Sequence, residues 1–148
     1  MLEVSEIDVF HGASQALFAM SLTVGEGEVV TLMGRNGMGK TTTVHAIMGI
    51  LPVARGSISF AGAAIDGLAS HRVAQAGLGL VPEGRQIFPN LTVNENLVAT
   101  AANRAARPNP WSAARVYDMF PELARRKASM GILLSGGEQQ MLAIGRAL

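Results

Sequence analysis

The sequence predicts an α/β fold built around a phosphate-binding loop. Three observations carry that expectation. Gly34-Arg35-Asn36-Gly37-Met38-Gly39-Lys40-Thr41 has the spacing G-x-x-x-x-G-K-[ST]. Before it, Glu28-Val29-Val30-Thr31-Leu32-Met33 reads as a short apolar strand, and after it Thr42-Thr43-Val44-His45-Ala46-Ile47-Met48 can continue as a helix that buries Val44, Ile47 and Met48. A phosphate cradle needs that setting, because it works where a buried strand turns sharply into a helix.

The chemistry follows from the residue types. Glycine at 34, 37 and 39 permits positive φ and close approach of backbone, so successive N–H groups converge on phosphate oxygens at the positive end of the helix. Lys40 adds a point charge for the β and γ phosphates, and the Thr41 hydroxyl is the candidate Mg²⁺ ligand. The candidate nucleotide contacts are Gly34, Arg35, Asn36, Gly37, Met38, Gly39, Lys40, Thr41 and Thr42. Of the 12 basic side chains only Lys40 and Lys127 are lysines, so lysine stands where a compact ammonium suits better than a planar fork.

The remaining elements follow in order. Residues 2–10 roughly alternate apolar and polar, and Phe18, Met20, Leu22 and Val24 alternate more strictly after a turn at His11-Gly12; two half-buried antiparallel strands result. Gly25-Glu26-Gly27 is a turn into the pre-loop strand. Gly49 and Pro52 end the first helix, and Ser57-Ile58-Ser59-Phe60 with Ala61-Gly62 reads as strand and turn. Ser70 can cap a helix running to about Ala76, with Gly77 past its end, and Leu78-Gly79-Leu80-Val81 is a buried strand closed by Pro82-Glu83-Gly84. Thr92 and Glu95 form a capping box opening a helix to about Asn103. After a polar break, Asn109 as cap and Pro110 as first helical residue start a short helix through Trp111, Val116, Tyr117 and Phe120, ended by Pro121.

A chain of 148 residues with 49% apolar content is one domain's worth of sequence. A net charge of +1 with both signs dispersed gives no basic face, so nucleic acid is not an expected partner. The absence of cysteine excludes disulfides, thiolate nucleophiles and zinc–thiolate sites. No apolar run reaches membrane-spanning length, and Glu3, Glu6 and Asp8 stand where a signal peptide would be basic and then apolar; any membrane link is expected to run through a partner.

Leu134-Ser135-Gly136-Gly137-Glu138-Gln139-Gln140 is the second informative stretch. Ser135 and Glu138 make another capping box, with glycine at the first two helical positions. Each glycine costs about 1 kcal/mol of helix stability but leaves the backbone N–H groups bare for an anion. Met141, Leu142, Ile144 and Leu148 are the expected buried face. An ordinary capped helix is the competing explanation for this stretch alone.

A phosphate loop followed about 100 residues later by LSGGEQQ resembles the nucleotide-binding subunits of ABC transporters. Val81 through Phe88, Leu91 through Leu97 and Leu134 through Leu148 are similar to the LivF-like ATP-binding subunits of branched-chain amino acid importers; urea and short-chain amide importers have closely similar subunits. The resemblance implies a P-loop NTPase core of an ABC nucleotide-binding domain with an antiparallel β subdomain and part of the helical subdomain. Residues 1–148 would be the N-terminal part of that domain, with the C-terminal portion missing. It implies ATP and Mg²⁺ as cofactors and a head-to-tail dimer, homo- or heteromeric, in which Ser135, Gly136, Gly137 and Glu138 face nucleotide held by a second ATPase subunit. Further implied partners are transmembrane permease subunits and, indirectly, a periplasmic or extracellular binding protein. The chain would sit in the cytoplasm, on the inner face of the cell membrane.

At the Q-loop position, where most of the family has glutamine, this chain has Glu83, which the resemblance marks as a contact to Mg²⁺ or the attacking water. Family members usually stack adenine on an aromatic in the first loop, for which either Phe10 or His11 qualifies here. The family also needs an apolar strand ending in Asp-Glu after the signature and then a histidine. Asp8, Asp66 and Asp118 do not fit, and His11, His45 and His71 all precede the signature. The expectation is a longer protein that hydrolyses ATP and a 148-residue part that does not, with apolar faces and strand edges left exposed. Two other readings remain open. One is a small-molecule kinase using Arg125, Arg126 and Lys127 in a lid, although a solvated helix face explains these three better; the other is a nucleotide-responsive module that never hydrolyses ATP.

Overall fold

A computed structural model describes residues 1–101 and 110–148, which divide into two compact units, Met1–Leu78 and Gly79–Leu148. The first unit is built on a four-stranded antiparallel sheet of order β2-β1-β3-β4: β1 is Leu2–His11, β2 Ser14–Val24, β3 Val53–Phe60 and β4 Ala63–Ala64. Helix α1, Lys40–Ile47, and the short α2, Ser70–Ala76, complete it. Val4, Ile7, Val9, Leu17, Ala46, Ile58 and Val73 are buried at its centre.

The alternation in β1 and β2 is interrupted. Glu6 has φ 48° and Ala19 φ 43°, both left-handed, and the pairing register shifts on either side of Ile7. Each irregularity is tied down by a side chain: the Glu6 amide donates to Ser21 Oγ at 2.9 Å, and the Ala19 amide donates to Asp8 Oδ1 at 2.7 Å. Such bulges reverse which face a residue occupies. Leu17 is therefore buried while Phe18, expected on the inward apolar face of its strand, is 71% exposed. Gly56, at φ 87°, fits against the bulge because a Cβ there would collide with the carbonyl oxygens of Ser5 and Glu6.

Two expected strands pair with nothing among the described residues. Residues 28–33 and 78–81 carry no ladder, and Val29 and Met33 are 92% and 84% exposed. A strand has no internal hydrogen bonds, so an apolar run becomes one only beside a partner. Helix α1 also turns a different face inward from the one expected: Thr43 and Ala46 are buried, with Met48 just beyond the end, while Val44 is exposed and Ile47 half-buried.

The second unit is helical: α3 is Val93–Thr100, α4 Ala113–Met119, α5 Pro121–Arg125 and α6 Gly136–Ala147, with a 3-10 turn at Gly131–Leu133. Val93, Leu97, Val116, Leu123, Leu134 and Leu142 form one buried cluster. On α6 the inward face is Leu142, Ala143 and Gly145, with Met141 and Ile144 half-buried and Leu148 exposed. Gly145 lets α6 sit tightly, since a Cβ would meet Val116 Cγ1 at 2.7 Å and Leu97 Cδ2 at 3.1 Å.

Helix boundaries shift in three places. Ser70 is the first residue of α2, not its cap. Helix α4 is capped by Ser112, whose Oγ accepts from the Arg115 amide at 3.4 Å, and Pro110 and Trp111 lie outside it; Asn109 and Asn103 lie outside the described residues. Pro121 both ends α4 and occupies the first turn of α5, where its missing N–H costs nothing.

Candidate functional site

In the first unit the site is the turn into α1. Gly37 and Gly39 both have φ 84°, whereas Gly34 does not adopt a positive φ. Gly39 precedes the helix, so no side chain caps α1. The N-cap position therefore brings no side-chain acceptor to the helix start, which suits an anion site. The Lys40 ammonium donates to the carbonyls of Gly34 at 2.7 Å and Arg35 at 2.9 Å, which holds the charge over the loop. The Thr43 hydroxyl bonds to the Gly39 carbonyl at 2.9 Å and steadies the first turn. Gly39 is also packed: a Cβ there would run into Leu17 Cδ2, so Leu17 shapes the loop from β2, a role the motif does not reveal. Phe18, Met20, Leu32, Met33 and Met38 are among the walls of an adjoining cavity of about 470 Å³.

His11 Nε2 lies 3.3 Å from Thr42 Oγ1, which joins the end of β1 to the first turn of α1. Phe10 is 39% exposed and has no such link to the loop among the described contacts. Thr41 is exposed in the same turn. Mg²⁺ keeps several waters and usually takes one or two protein oxygens together with substrate phosphates, and a threonine hydroxyl is an oxygen of that kind.

In the second unit the site is the start of α6. Ser135 caps it reciprocally with Glu138: the Ser135 amide donates to Glu138 Oε2 at 2.7 Å and the Glu138 amide donates to Ser135 Oγ at 3.3 Å. Gly136 and Gly137 occupy the first two helical positions, and a Cβ on Gly137 would meet open space. Two arginines stand beside this terminus. Arg126 Nε is 3.4 Å from Glu138 Oε1, and the Arg85 guanidinium lies over Gly136 while donating to Gln139 Oε1 at 3.0 Å. Arg85 is a site neighbour that spacing alone could not find, since it is 54 residues from Gln139. Lys127 sits over the Tyr117 ring at 5.6 Å, and Arg126 and Lys127 lie in the turn that follows α5, not on the helix face expected for them.

The hydrogen bond from the Ser135 backbone, joined by the Ser135 hydroxyl and then Arg126, holds the Glu138 carboxyl below the ordinary glutamate value. A carboxylate whose folded pKa is depressed contributes stability that is fully present above its unfolded pKa and disappears as pH falls through the folded one. Acidification should therefore loosen the start of α6. In an NMR titration of the Glu138 carboxyl, Ser135→Ala is expected to raise the midpoint; an unchanged midpoint would show that the Ser135 hydroxyl contributes nothing and that the backbone amide and Arg126 alone hold this group down.

Glu83 is exposed in the turn of residues 82–85, where the Arg85 amide donates to the Pro82 carbonyl at 3.3 Å. Beyond it the backbone is left-handed at three successive residues, Gly84 (φ 73°), Arg85 (φ 66°) and Gln86 (φ 46°). For the two non-glycine residues this conformation costs about 1–3 kcal/mol each and persists only where neighbours enforce it. The enforcing neighbours are Arg85–Gln139 and Arg146, whose Nη1 donates to the Gln86 carbonyl at 2.8 Å and whose guanidinium covers the Phe88 ring at 4.1 Å. Fully buried Asn96 secures the next turn. Its Oδ1 accepts from the Phe88 amide at 2.8 Å, and its Nδ2 donates to the carbonyls of Phe88 (2.9 Å), Leu91 (3.1 Å) and Thr92 (3.0 Å).

A glycine-lined loop running into an uncapped helix, with a lysine held over it, defines the class of phosphate-loop proteins. The particular family is set by comparison: residues 17–148 match the family model for the ABC transporter, and the chain belongs to that family. It is 40% identical over 148 residues to the high-affinity branched-chain amino acid transport ATP-binding protein BraG of Pseudomonas aeruginosa, covering all of this chain and 64% of that one. It is 38% identical over 131 residues to the lipopolysaccharide export system ATP-binding protein LptB of Escherichia coli, covering 87% of this chain and 54% of that one. A solved ATP-binding subunit of an ABC transporter superposes with TM-score 0.80 at 29% identity, covering 99% of this chain and 61% of that chain. The chain thus spans less than two thirds of the length of these relatives.

Proposed function

We propose that this chain is the nucleotide-binding part of an ABC ATPase subunit that couples ATP to import of branched-chain amino acids. The carrying observation is the uncapped start of α1, with Gly37 and Gly39 left-handed and the Lys40 ammonium held over the loop carbonyls. Residues Gly34 through Thr42 hold the ATP phosphates, Thr41 and Glu83 serve Mg²⁺, and His11, already joined to Thr42, takes the adenine contact in preference to Phe10. Ser135, Gly136, Gly137 and Glu138 face the γ-phosphate on a second ATPase subunit, so the two anion-binding helix starts are halves of one composite site. In the intact protein the composite site hydrolyses ATP. Permease subunits hold the assembly at the inner face of the membrane and receive solute from a binding protein.

The solute assignment leans on similarity to BraG; urea or amide import is the alternative with the same ATPase chemistry. The nucleotide reading has a direct test by titration of ATP–Mg²⁺ into the chain. Lys40→Ala should weaken binding by about 10- to 100-fold, as expected for loss of a charge-assisted hydrogen bond. Ser135→Ala should leave that affinity within about twofold while reducing nucleotide-driven dimerisation, because a cap on α6 acts on the opposite half-site. Equal loss of binding and dimerisation in Ser135→Ala would defeat the two-halves arrangement, and unchanged affinity in Lys40→Ala would defeat the phosphate loop.

A further inference from the structure

We infer that Arg146 is a positioning residue that fastens the Glu83 turn to the helix carrying Ser135, so that the two proposed nucleotide-facing elements of the second unit move as one body. The functional weight of this inference rests on the reading of Glu83 and Ser135 given above; the tether itself does not.

Arg146 lies near the C-terminal end of α6, and its side chain is half-buried. Side chains on a helix lean toward its N-terminus, so the guanidinium points back along α6 toward the signature end. There it makes two contacts to the segment after Glu83: Nη1 to the Gln86 carbonyl at 2.8 Å, and the guanidinium plane over Phe88 at 4.1 Å. Arg85 reaches the other way, to Gln139 one turn into α6 and over Gly136. The segment 85–88 is therefore gripped against α6 by two arginines, one from each element.

Two features distinguish this from ordinary packing. The gripped segment holds left-handed backbone at Arg85 and Gln86, which relaxes when an enforcing contact is lost. Arg146 Nε is also buried with no hydrogen-bond partner among the described residues, a cost that optimised packing would avoid. The guanidinium is oriented for Gln86 and Phe88 at the expense of its third donor direction. Phe88 in turn is held by Asn96 through its amide and carbonyl, so the grip extends from α6 to the start of α3.

Trypsin tests the tether without nucleotide, because the Arg85–Gln86 bond is itself a cleavage site inside the gripped turn. In Arg146→Ala, cleavage at Arg85 should accelerate at least about tenfold, since a local opening that costs one tethering contact exposes this bond first. Cleavage at Arg125 and Arg126 and the thermal midpoint should change little. Arg146→Lys, which keeps a donor and a cation over Phe88, should restore most of the protection. A uniform increase at all arginines, or a lowered midpoint that accounts for the faster cut, would reduce Arg146 to a structural residue. Unchanged cleavage at Arg85, or no rescue by lysine, would overturn the tether. Failure of the ATP titration instead would remove the functional meaning while leaving the proteolysis result standing.

Discussion

Gly39→Ala is expected to cost the first unit about 2–4 kcal/mol and to weaken ATP binding by about 100-fold or more. Two penalties combine. Residue 39 sits at φ 84°, where an L side chain pays about 1–2 kcal/mol. The new Cβ would also strike Leu17 Cδ2 and come within 3.2 Å of the Ala16 carbonyl oxygen. Leu17 is buried and would have to turn into the cavity it lines, while the Ala16 carbonyl is backbone and yields less, so the loop shifts and the convergence of its amides is weakened. Gly37→Ala is the internal control. It has the same φ of 84° but nothing within 4 Å of a Cβ, so it should pay the backbone strain alone. Urea midpoints and ATP titrations on both variants separate the two penalties. Equal effects at 37 and 39 would remove the Leu17 contact from the explanation.

The second large effect is expected at Asn96. Asn96→Leu keeps the forked shape, with bulkier methyl ends, and deletes four hydrogen bonds, but the four partners are not left equally bare. The Phe88 carbonyl also accepts from the Leu91 amide, Leu91 from Gly131, and Thr92 from the Asn96 amide itself. Only the Phe88 amide loses its one acceptor. One orphaned amide plus three weakened carbonyls should amount to about 3 kcal/mol, read as a shift in the urea midpoint. Asn96→Asp should be worse at neutral pH despite being nearly isosteric. Its second oxygen would face the carbonyls of Phe88, Leu91 and Thr92, placing a buried carboxylate against three acceptors. Protonation supplies the missing donor, so this variant alone should recover stability on mild acidification. A cost below about 1 kcal/mol for Asn96→Leu would mean that backbone contacts hold the turn without it.

Similarity to BraG, LptB and solved ATP-binding subunits places the same family assignment on the chain that the pairing of phosphate loop and LSGGEQQ implied. Both capping boxes were legible, because Thr92–Glu95 and Ser135–Glu138 need only the right side chains three residues apart. Gly77 past the end of α2 was legible for the same reason. The strand face at Phe18 was not. Its inversion depends on a bulge at Ala19 that is stabilised by Asp8, eleven residues away on the neighbouring strand. The exposure of Val44 was not legible either, because helical periodicity gives the spacing of an apolar stripe but not which direction the core lies.

What the sequence determined by itself, then, is the set of features closed within a turn or two of chain: the glycine turn into α1, the two boxed helix starts and the glycine stops. Tertiary structure decided everything that needs a partner brought from elsewhere. Residues 28–33 and 78–81 have strand-like composition yet join no ladder among the described residues. Leu17 proves to wall the loop, and Arg85 and Arg146 grip α6 from positions with no spacing signal. The physical reason is the range of the interactions. A helix and its caps satisfy their backbone groups locally, whereas a strand or a side-chain clamp is defined only once a distant segment supplies the other half of each bond.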